Sequence, residues 1–266
     1  MLLVIPVSAA DSDLVNSTIR VFKHLGPQGN HPVLVMATPG AAEPAQKLFQ
    51  GIQGLFASVT LKVLDTEPTG GWPTACNQHF KETAYFIFQN PQFRSQPWYW
   101  FELDCTPLVP GWLDKLAEEY AEAGKPFMGV VHPTFFTVRH DSKNPRQKDF
   151  PVCVQQDYHM VGTGIYPGDF WERSVMVRFM ATAFDVEIQY EVVPHCHPTQ
   201  LIQHNWGTVR YRRTQHSATK IVCDAKDPHI SPIDHAQPVR SDAVVLHGCK
   251  DGSLADIVCR KRFSPR

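Results

Sequence analysis

The chain has 266 residues, enough to bury one large core without demanding a second domain. Its 43% hydrophobic and 19% charged residues are ordinary for a soluble globular protein, and a formal net charge of −1 excludes a global field that would draw in nucleic acid or membrane. Any polyanionic partner must be met by a local basic patch.

Residues 2–7, LLVIPV, make a nearly continuous apolar run, the pattern of a strand buried on both faces of a parallel sheet. The opening segment MLLVIPVSAADSD has no basic region, and its apolar run is too short for a signal peptide. No later run reaches the roughly 20 apolar residues that a spanning helix needs. A cytoplasmic protein without membrane contact is expected. The cysteines Cys76, Cys105, Cys153, Cys196, Cys223, Cys249 and Cys259 are odd in number and form no Cys-x-x-Cys pair. That favours reduced thiols over a zinc ribbon or a disulfide framework.

AADSD reads as a loop with capping residues, followed by a helix over 14–25. A strand over 33–36, a turn at TPGAAEP, a helix to 52 and a strand over 59–64 come next. In GGWPTACNQHF, 70–80, Gly-Gly and Trp-Pro mark a loop. Trp72 offers a stacking face and Asn77 a two-sided amide near a helix start, although a capped helix with a buried tryptophan fits the same residues. A helix over 76–88 leads to an aromatic strand over 98–103. The helix over 112–121 has an apolar stripe of Trp112, Leu113, Leu116 and Tyr120, and 127–131 reads as a further strand. Strands alternating with helices predict an α/β fold with a mainly parallel, mixed central sheet. No G-x-G-x-x-G follows the first strand and no G-x-x-x-x-G-K-S/T occurs, which excludes the common dinucleotide and P-loop phosphate sites.

Beyond residue 132 the pattern changes. RHDSKNPRQK, 139–148, reads as an exposed polar loop. GTGIYPGDF follows, then a helix over 170–182 and a strand over 186–193. No linker, repeat or low-complexity tract divides the chain, so a single domain over 1–266 is expected, with halves at 1–131 and 132–266.

Three constellations could bear chemistry. Glu102 and Asp104 stand two residues apart, so alternation puts them on one face of the aromatic strand. Two such carboxylates repel unless a proton or a cation intervenes, and hard oxygen donors suit Mg²⁺ or Mn²⁺. An acid pair facing water on an edge strand has the same spacing. In VVLHGCKDGSL, 244–254, an apolar strand delivers His247, Gly248 and Lys250 into a turn, and a helix starts at Gly252-Ser253. Imidazole is a ligand for Mn²⁺ and the lysine a point charge for phosphate; a surface turn after a last strand is the plainer reading. The third is the Trp72/Asn77 segment.

Together, the strand LLVIPV, a D-x-D-like Glu102-x-Asp104 on an aromatic strand and a distal His-Gly-x-Lys resemble the GT-A glycosyltransferases. HGCK has two fewer residues between histidine and lysine than the H-x-G-x-x-K element of the glycogenin-like branch. The combination W-x-x-x-x-N, F-E-L-D-C-x-P-L-x-P-G-W-L, G-x-G-I-Y-P and H-G-x-K-D-G-S-L is also similar to small bacteriophage glycosyltransferases that modify 5-hydroxymethylpyrimidines in DNA. The resemblance implies a nucleotide-sugar donor, a UDP-sugar by preference, and Mn²⁺ or Mg²⁺. Residues 1–131 would hold the donor and 132–266 the acceptor. Pro6, Val7, Ser8 and Asp11 would border the nucleobase and ribose, with Trp72 and Asn77 lining the same pocket. Asp104, Glu102 and His247 would hold the metal, and Lys250 would neutralise the leaving diphosphate. Gly162, Gly164 and Tyr166 would lie against the donor sugar or acceptor, although a structural glycine turn fits the same residues.

An inverting transfer needs a base within hydrogen-bond reach of the acceptor hydroxyl. Asp185 in TAFDVEIQYE is the first candidate and Glu187 the second, although Asp185 also suits a turn between elements. His195, Cys196, His197 and His204 lack the spacing of a structural zinc site and are read as lining an acceptor cleft or capping local structure. WGTVRYRRTQHSATK, 206–220, places Arg210, Arg212, Arg213 and Lys220 beside Trp206 and Tyr211, with further basic stretches at 143–148 and in RKRFSPR. Such segments track phosphates and stack on unpaired bases, or are simply solvated loops. The favoured expectation is sugar transfer to a 5-hydroxymethylpyrimidine in DNA. Transfer to a glycan, lipid or protein, a non-catalytic binding protein and a nucleotidyltransferase are the rivals.

Overall fold

The computed structural model describes residues 1–138, 150–174, 183–204, 209–213, 221–225 and 239–260, without the side chains of 134–138, 150–157, 209–213 and 221–225. In chain order the elements are β1 (Leu2–Val7), α1 (Val15–Leu25), β2 (Pro32–Ala37), α2 (Ala42–Gly51), β3 (Ser58–Val63), α3 (Thr74–Gln89), α4 (Pro91–Arg94), β4 (Trp98–Trp100), β5 (Thr106–Pro107) and α5 (Trp112–Ala123). Then come β6 (Phe127–Val138), β7 (Phe150–Tyr166), α6 (Phe170–Arg173), α7 (Phe184–Glu187), α8 (Gln189–Val192), β8 (Cys196–Pro198), β9 (Ile202–His204), β10 (Val209–Arg213), β11 (Ile221–Ala225), β12 (Val245–His247) and α9 (Ser253–Cys259).

The apolar run at the start does what its composition requires. Leu3, Ile5 and Val7 point into one core with α1, α2, α5 and α9, while Leu2 and Val4 point into a second core with α3, α6, α7 and α8. Every one of these five side chains is fully buried, and each contributes about 1.5–3 kcal/mol relative to exposure. The central sheet has 7 strands in the order β3-β2-β1-β4-β7-β6-β8. β3, β2, β1 and β4 run parallel, β7 is antiparallel to β4 and β6, and β8 is parallel to β6. The chain builds outward from β1 to β3 and then returns to place β4 on the other side of β1. That reversal is a topological switch point, and ligands of open α/β sheets bind outside the carboxyl ends of the strands there.

A second, 3-stranded sheet, β5-β12-β9, lies where the chain leaves β4. β12 pairs with β5 antiparallel and with β9 in parallel, which ties the last strand to the segment just past the acid pair. β10 and β11 form a separate antiparallel pair.

Two expectations for the back half are corrected. The segment 186–193 is not a strand but the turns of α7 and α8. Val186, Ile188, Tyr190 and Val192 alternate, yet the residues that reach the core are Phe184, Ile188 and Val192, at helical spacing, and Tyr190 is 72% exposed. The helix expected over 170–182 closes as α6 at Arg173, with Ser174 in extended conformation; 175–182 lie outside the described residues. The aromatic strand is also shorter than expected. Its ladder ends at Trp100, so Glu102 and Asp104 sit in the turn beyond it, closed by a hydrogen bond from the Cys105 amide to the Glu102 carbonyl (2.8 Å). Among the described residues no helix is long and apolar enough to cross a membrane.

Candidate active site

The turn after β4 and the end of β12 meet at one imidazole. His247 Nε2 lies 3.1 Å from Glu102 Oε2, in hydrogen-bond geometry, and 3.2 Å from Asp104 Oδ1. The backbone fixes this approach, because the Cys249 amide donates to the Asp104 carbonyl at 3.0 Å. Gly248, at φ 103°, takes the left-handed conformation that lets the chain turn back over the acids. His247 and Asp104 are buried, and Glu102 is half-buried with its other oxygen held by Trp100 Nε1–H at 3.3 Å.

Charge follows from this geometry. Burial by itself lowers the His247 pKa, but Asp104 and Glu102 outweigh it and raise the value to about 10. Burial likewise opposes ionisation of Asp104, yet the imidazolium and then Lys250 hold it below the usual carboxylate range. Asp104 Oδ1 is buried, and it meets the His247 imidazolium at 3.2 Å outside good hydrogen-bond alignment. A buried carboxylate oxygen so poorly satisfied suits a cation. Asp104, Cys105 and His247 place an oxygen, a sulfur and a nitrogen within 4.8 Å of one another. Burial pushes the Cys105 thiol well up, and its sulfur is in contact with Thr163 Oγ1 at 3.2 Å. For hard Mn²⁺ or Mg²⁺ the fitting donors are therefore Asp104, His247 Nε2 and Glu102.

Asp185 approaches from the other side. It opens α7, and its Oδ1 accepts the Val186 N–H at 3.0 Å. Burial first and Glu102 second raise its pKa to about 6, against the opposing effect of backbone N–H groups of Gly162 and Val186. Asp185 Oδ2 is 4.0 Å from His159 Nε2. Gly162 is what lets these walls close: a Cβ there would meet Phe184 Cζ at 2.7 Å and Glu102 Oε1 at 3.3 Å.

At the end of β1, Ser8 Oγ donates to Asp11 Oδ2 at 2.7 Å. Burial raises the Asp11 pKa, Asp104 and Glu102 add to it, and Lys250 opposes them. Ser8, Asp11, Glu102, Asp104, Asp185, His247 and Lys250 thus share one electrostatic neighbourhood at the switch point. Cys76 belongs to it as well. Burial raises its thiol, followed by the charges of Glu102 and Asp11. Nothing in the sequence singled out Cys76, a lone cysteine at a helix start.

The other expected residues are placed as follows. Pro6 is half-buried and Val7 is in the core. Trp72 is 78% exposed beyond Gly70 and Gly71, which both have positive φ. Asn77 is buried on α3, where its backbone N–H donates to the Pro73 carbonyl at 2.9 Å. Lys250 is exposed in the turn before α9, and Glu187 is half-buried at the end of α7. Two residues expected against a substrate pack inward instead. Tyr166 is fully buried, stacks on Trp98 at 4.7 Å and donates to the Gly162 carbonyl, while Gly164 makes room for Met160 and the Met128 carbonyl. Trp206 and the loop 139–148 lie outside the described residues. Arg212 is on β10, opposite Val222, with its side chain outside the description. The group His195, Cys196, His197 and His204 disperses: His197 bonds Glu119, Cys196 meets Met160 and His204 meets His247.

No protein-family model matches this sequence, and no curated protein is significantly similar to it. Solved structures are similar in shape. The WbbM bifunctional glycosyltransferase superposes with a TM-score of 0.50 at 10% identity over 78% of this chain, which spans only 40% of that structure's length. Mouse xyloside xylosyltransferase 1 gives 0.48 at 10% identity over 77% of this chain and 87% of its own, and S. aureus TarS gives 0.42 at 10% over 71% and 32%. At such identity the WbbM likeness concerns the fold, which is the GT-A-like α/β architecture with a mainly parallel central sheet.

Proposed function

We propose that this chain is a metal-dependent glycosyltransferase that moves a sugar from a nucleotide-sugar, preferentially a UDP-sugar, to a hydroxyl acceptor. One observation supports it most: Asp104 with its buried, poorly aligned Oδ1, Glu102 and His247 Nε2 converge at the switch point of a GT-A-like sheet. A divalent cation held by these three would supply Lewis-acid stabilisation of the departing diphosphate. Lys250 adds a positive charge on the same side, and its field already reaches Asp104 and Asp11. Ser8 and Asp11 border the ribose and Trp72 stacks on the base. Residues 1–131 hold most of the donor, although His247 and Lys250 come from the back half.

In an inverting course Asp185 takes the acceptor proton. The oxygen to do so is Oδ2, since Oδ1 is spent on Val186 N–H. The acceptor oxygen bonds to the anomeric carbon, its proton goes to Asp185, and the electron pair of the broken glycosyl–phosphate bond leaves with the nucleoside diphosphate. A pKa of about 6 suits a base that must be ionised near neutrality.

The favoured acceptor is a 5-hydroxymethylpyrimidine in DNA. It draws support from the sequence resemblance and from the Arg210, Arg212 and Arg213 cluster of β10. The test is nucleoside diphosphate release from a panel of sugar nucleotides with Mn²⁺, with no acceptor, with ordinary DNA and with 5-hydroxymethylated DNA. Release that depends on hydroxymethylated DNA is expected. Release indifferent to DNA would transfer the proposal to a glycan, lipid or protein acceptor, and no release from any donor would overturn the enzyme reading.

A further inference from the structure

His247 is held from behind by a second imidazole. β9 and β12 are parallel neighbours whose register sets His204 opposite His247 and Gln203 opposite Leu246. The two rings meet with Nδ1 2.7 Å from Nδ1, centroids 4.7 Å apart and planes at 38°. Two imidazole nitrogens at that distance share one hydrogen, so one donates and the other accepts. The opposite nitrogen of His247, Nε2, faces Glu102 and Asp104. A coordinating nitrogen must offer a lone pair, so a His247 that binds a cation through Nε2 keeps its hydrogen on Nδ1.

We infer that His204 is a positioning residue for the metal site: its Nδ1 accepts the Nδ1–H of His247, sets the ring and the tautomer, and leaves Nε2 to the cation. This rests on the metal reading proposed above. His204 is itself firmly placed. The Val244 and Val245 amides both donate to the Leu201 carbonyl, at 2.8 and 3.1 Å. The Arg240 amide donates to Gln203 Oε1 at 2.9 Å, and its guanidinium donates to the carbonyls of Gln200 and Ile202. His132 closes the other flank, its ring centroid 5.4 Å from that of His204. The chemistry of the partner also fits. A carboxylate behind His247 would add a third negative charge beside Glu102 and Asp104, whereas an imidazole orients the ring without adding one. Hydrogen-bond partners of this kind are commonly worth 10–100-fold in metal affinity.

The test uses the full chain and the paramagnetic signal of free Mn²⁺, titrated with and without UDP. His204→Phe keeps a ring of similar size but cannot accept, and should weaken Mn²⁺ binding by roughly 10–100-fold. His204→Asn presents a side-chain carbonyl near the Nδ1 position and should recover most of that loss. Thermal melting of both variants without metal separates this from packing. A Phe variant that binds Mn²⁺ like the unmodified chain overturns the inference. So do Phe and Asn variants weakened alike with equal losses of melting temperature, which would mark a structural role only. If the unmodified chain takes up no Mn²⁺ in either condition, as Asp104→Asn should fail to, the metal reading itself falls and takes this inference with it.

Discussion

The turn after β4 presents a buried aspartate and the turn of α7 a half-buried one to the same glutamate, and the fold treats the two in opposite ways. Asp104 faces the His247 imidazole and, further off, the Lys250 ammonium, so it stays ionised in spite of its burial. Asp185 faces Glu102, and among the described residues no Lys or Arg offsets that charge, so burial and a like charge raise it to about 6. Environments that drive two carboxyl groups apart in pKa assign them different work. In the proposed mechanism the first holds the cation and the second takes the proton.

That contrast breaks most severely at Asp104. Asp104→Asn removes the negative charge and one carboxylate oxygen, and should lower metal-dependent transfer by at least about 10³-fold, the scale of several kcal/mol of lost Lewis-acid stabilisation. Mn²⁺ uptake should vanish with it while the circular dichroism spectrum is retained. An Asp104→Asn protein that still turns over would remove the residue from the mechanism.

Asp185→Asn sharpens the same contrast from the other side. Turnover should fall by about 10²–10³-fold with Mn²⁺ affinity unchanged, as for a lost general base. Stability should move the opposite way. The folded pKa of about 6 lies above the unfolded carboxylate, so the neutral form is the one the fold favours. The stability tied to that proton is fully present below the unfolded pKa and is lost as pH rises through 6. At pH 8 the asparagine variant should therefore be more stable by on the order of 2 kcal/mol, and near pH 4 by little. Melting curves at the two pH values decide it; equal shifts at both would deny Asp185 its raised pKa.

Much of the front half could be read directly from the chain, and the reason is physical. A parallel strand buried on both faces must be a continuous apolar run, and residues 2–7 and 33–36 are such runs. The closeness of Glu102 and Asp104 was legible as well, but not their place: alternation put them on the strand, and the ladder ends at Trp100. The back half was harder. Phe184, Ile188 and Val192 satisfy a helical period while Val186, Ile188, Tyr190 and Val192 satisfy alternation, so the pattern over 186–193 fits both elements. Only burial separates them, and burial depends on the partner elements. The pairing of His204 with His247 was hidden differently, since it rests on strand register between segments 43 residues apart. A faint signal existed: both LIQH and VVLH are apolar strands that end in histidine.

The metal reading makes a pH prediction that tests whether Asp104 and His247 act as a pair. Without metal the imidazole remains protonated up to about pH 10, so a cation at Nε2 must displace that proton. Mn²⁺ affinity should then climb by roughly tenfold per pH unit from near neutrality toward pH 9. Titrations of Mn²⁺ at several pH values measure the slope. A flat profile would mean that His247 is not a ligand, and would leave Asp104 and Glu102 to hold the cation alone.

The smallest expected effect lies at Trp72. Trp72 is 78% exposed, so it adds little to either core and its ring face is open to a ligand. If its partner is the nucleobase, Trp72→Ala should raise the donor KM by about fivefold, near the lower end of what base stacking on an aromatic provides, and leave kcat and melting temperature nearly unchanged. Comparing the nucleoside diphosphate with the free sugar as inhibitors refines the test. Only the nucleotide should lose affinity in the variant. Equal losses for both would move Trp72 from the base to the sugar, and no loss for either would leave it a surface residue with no share in the donor site.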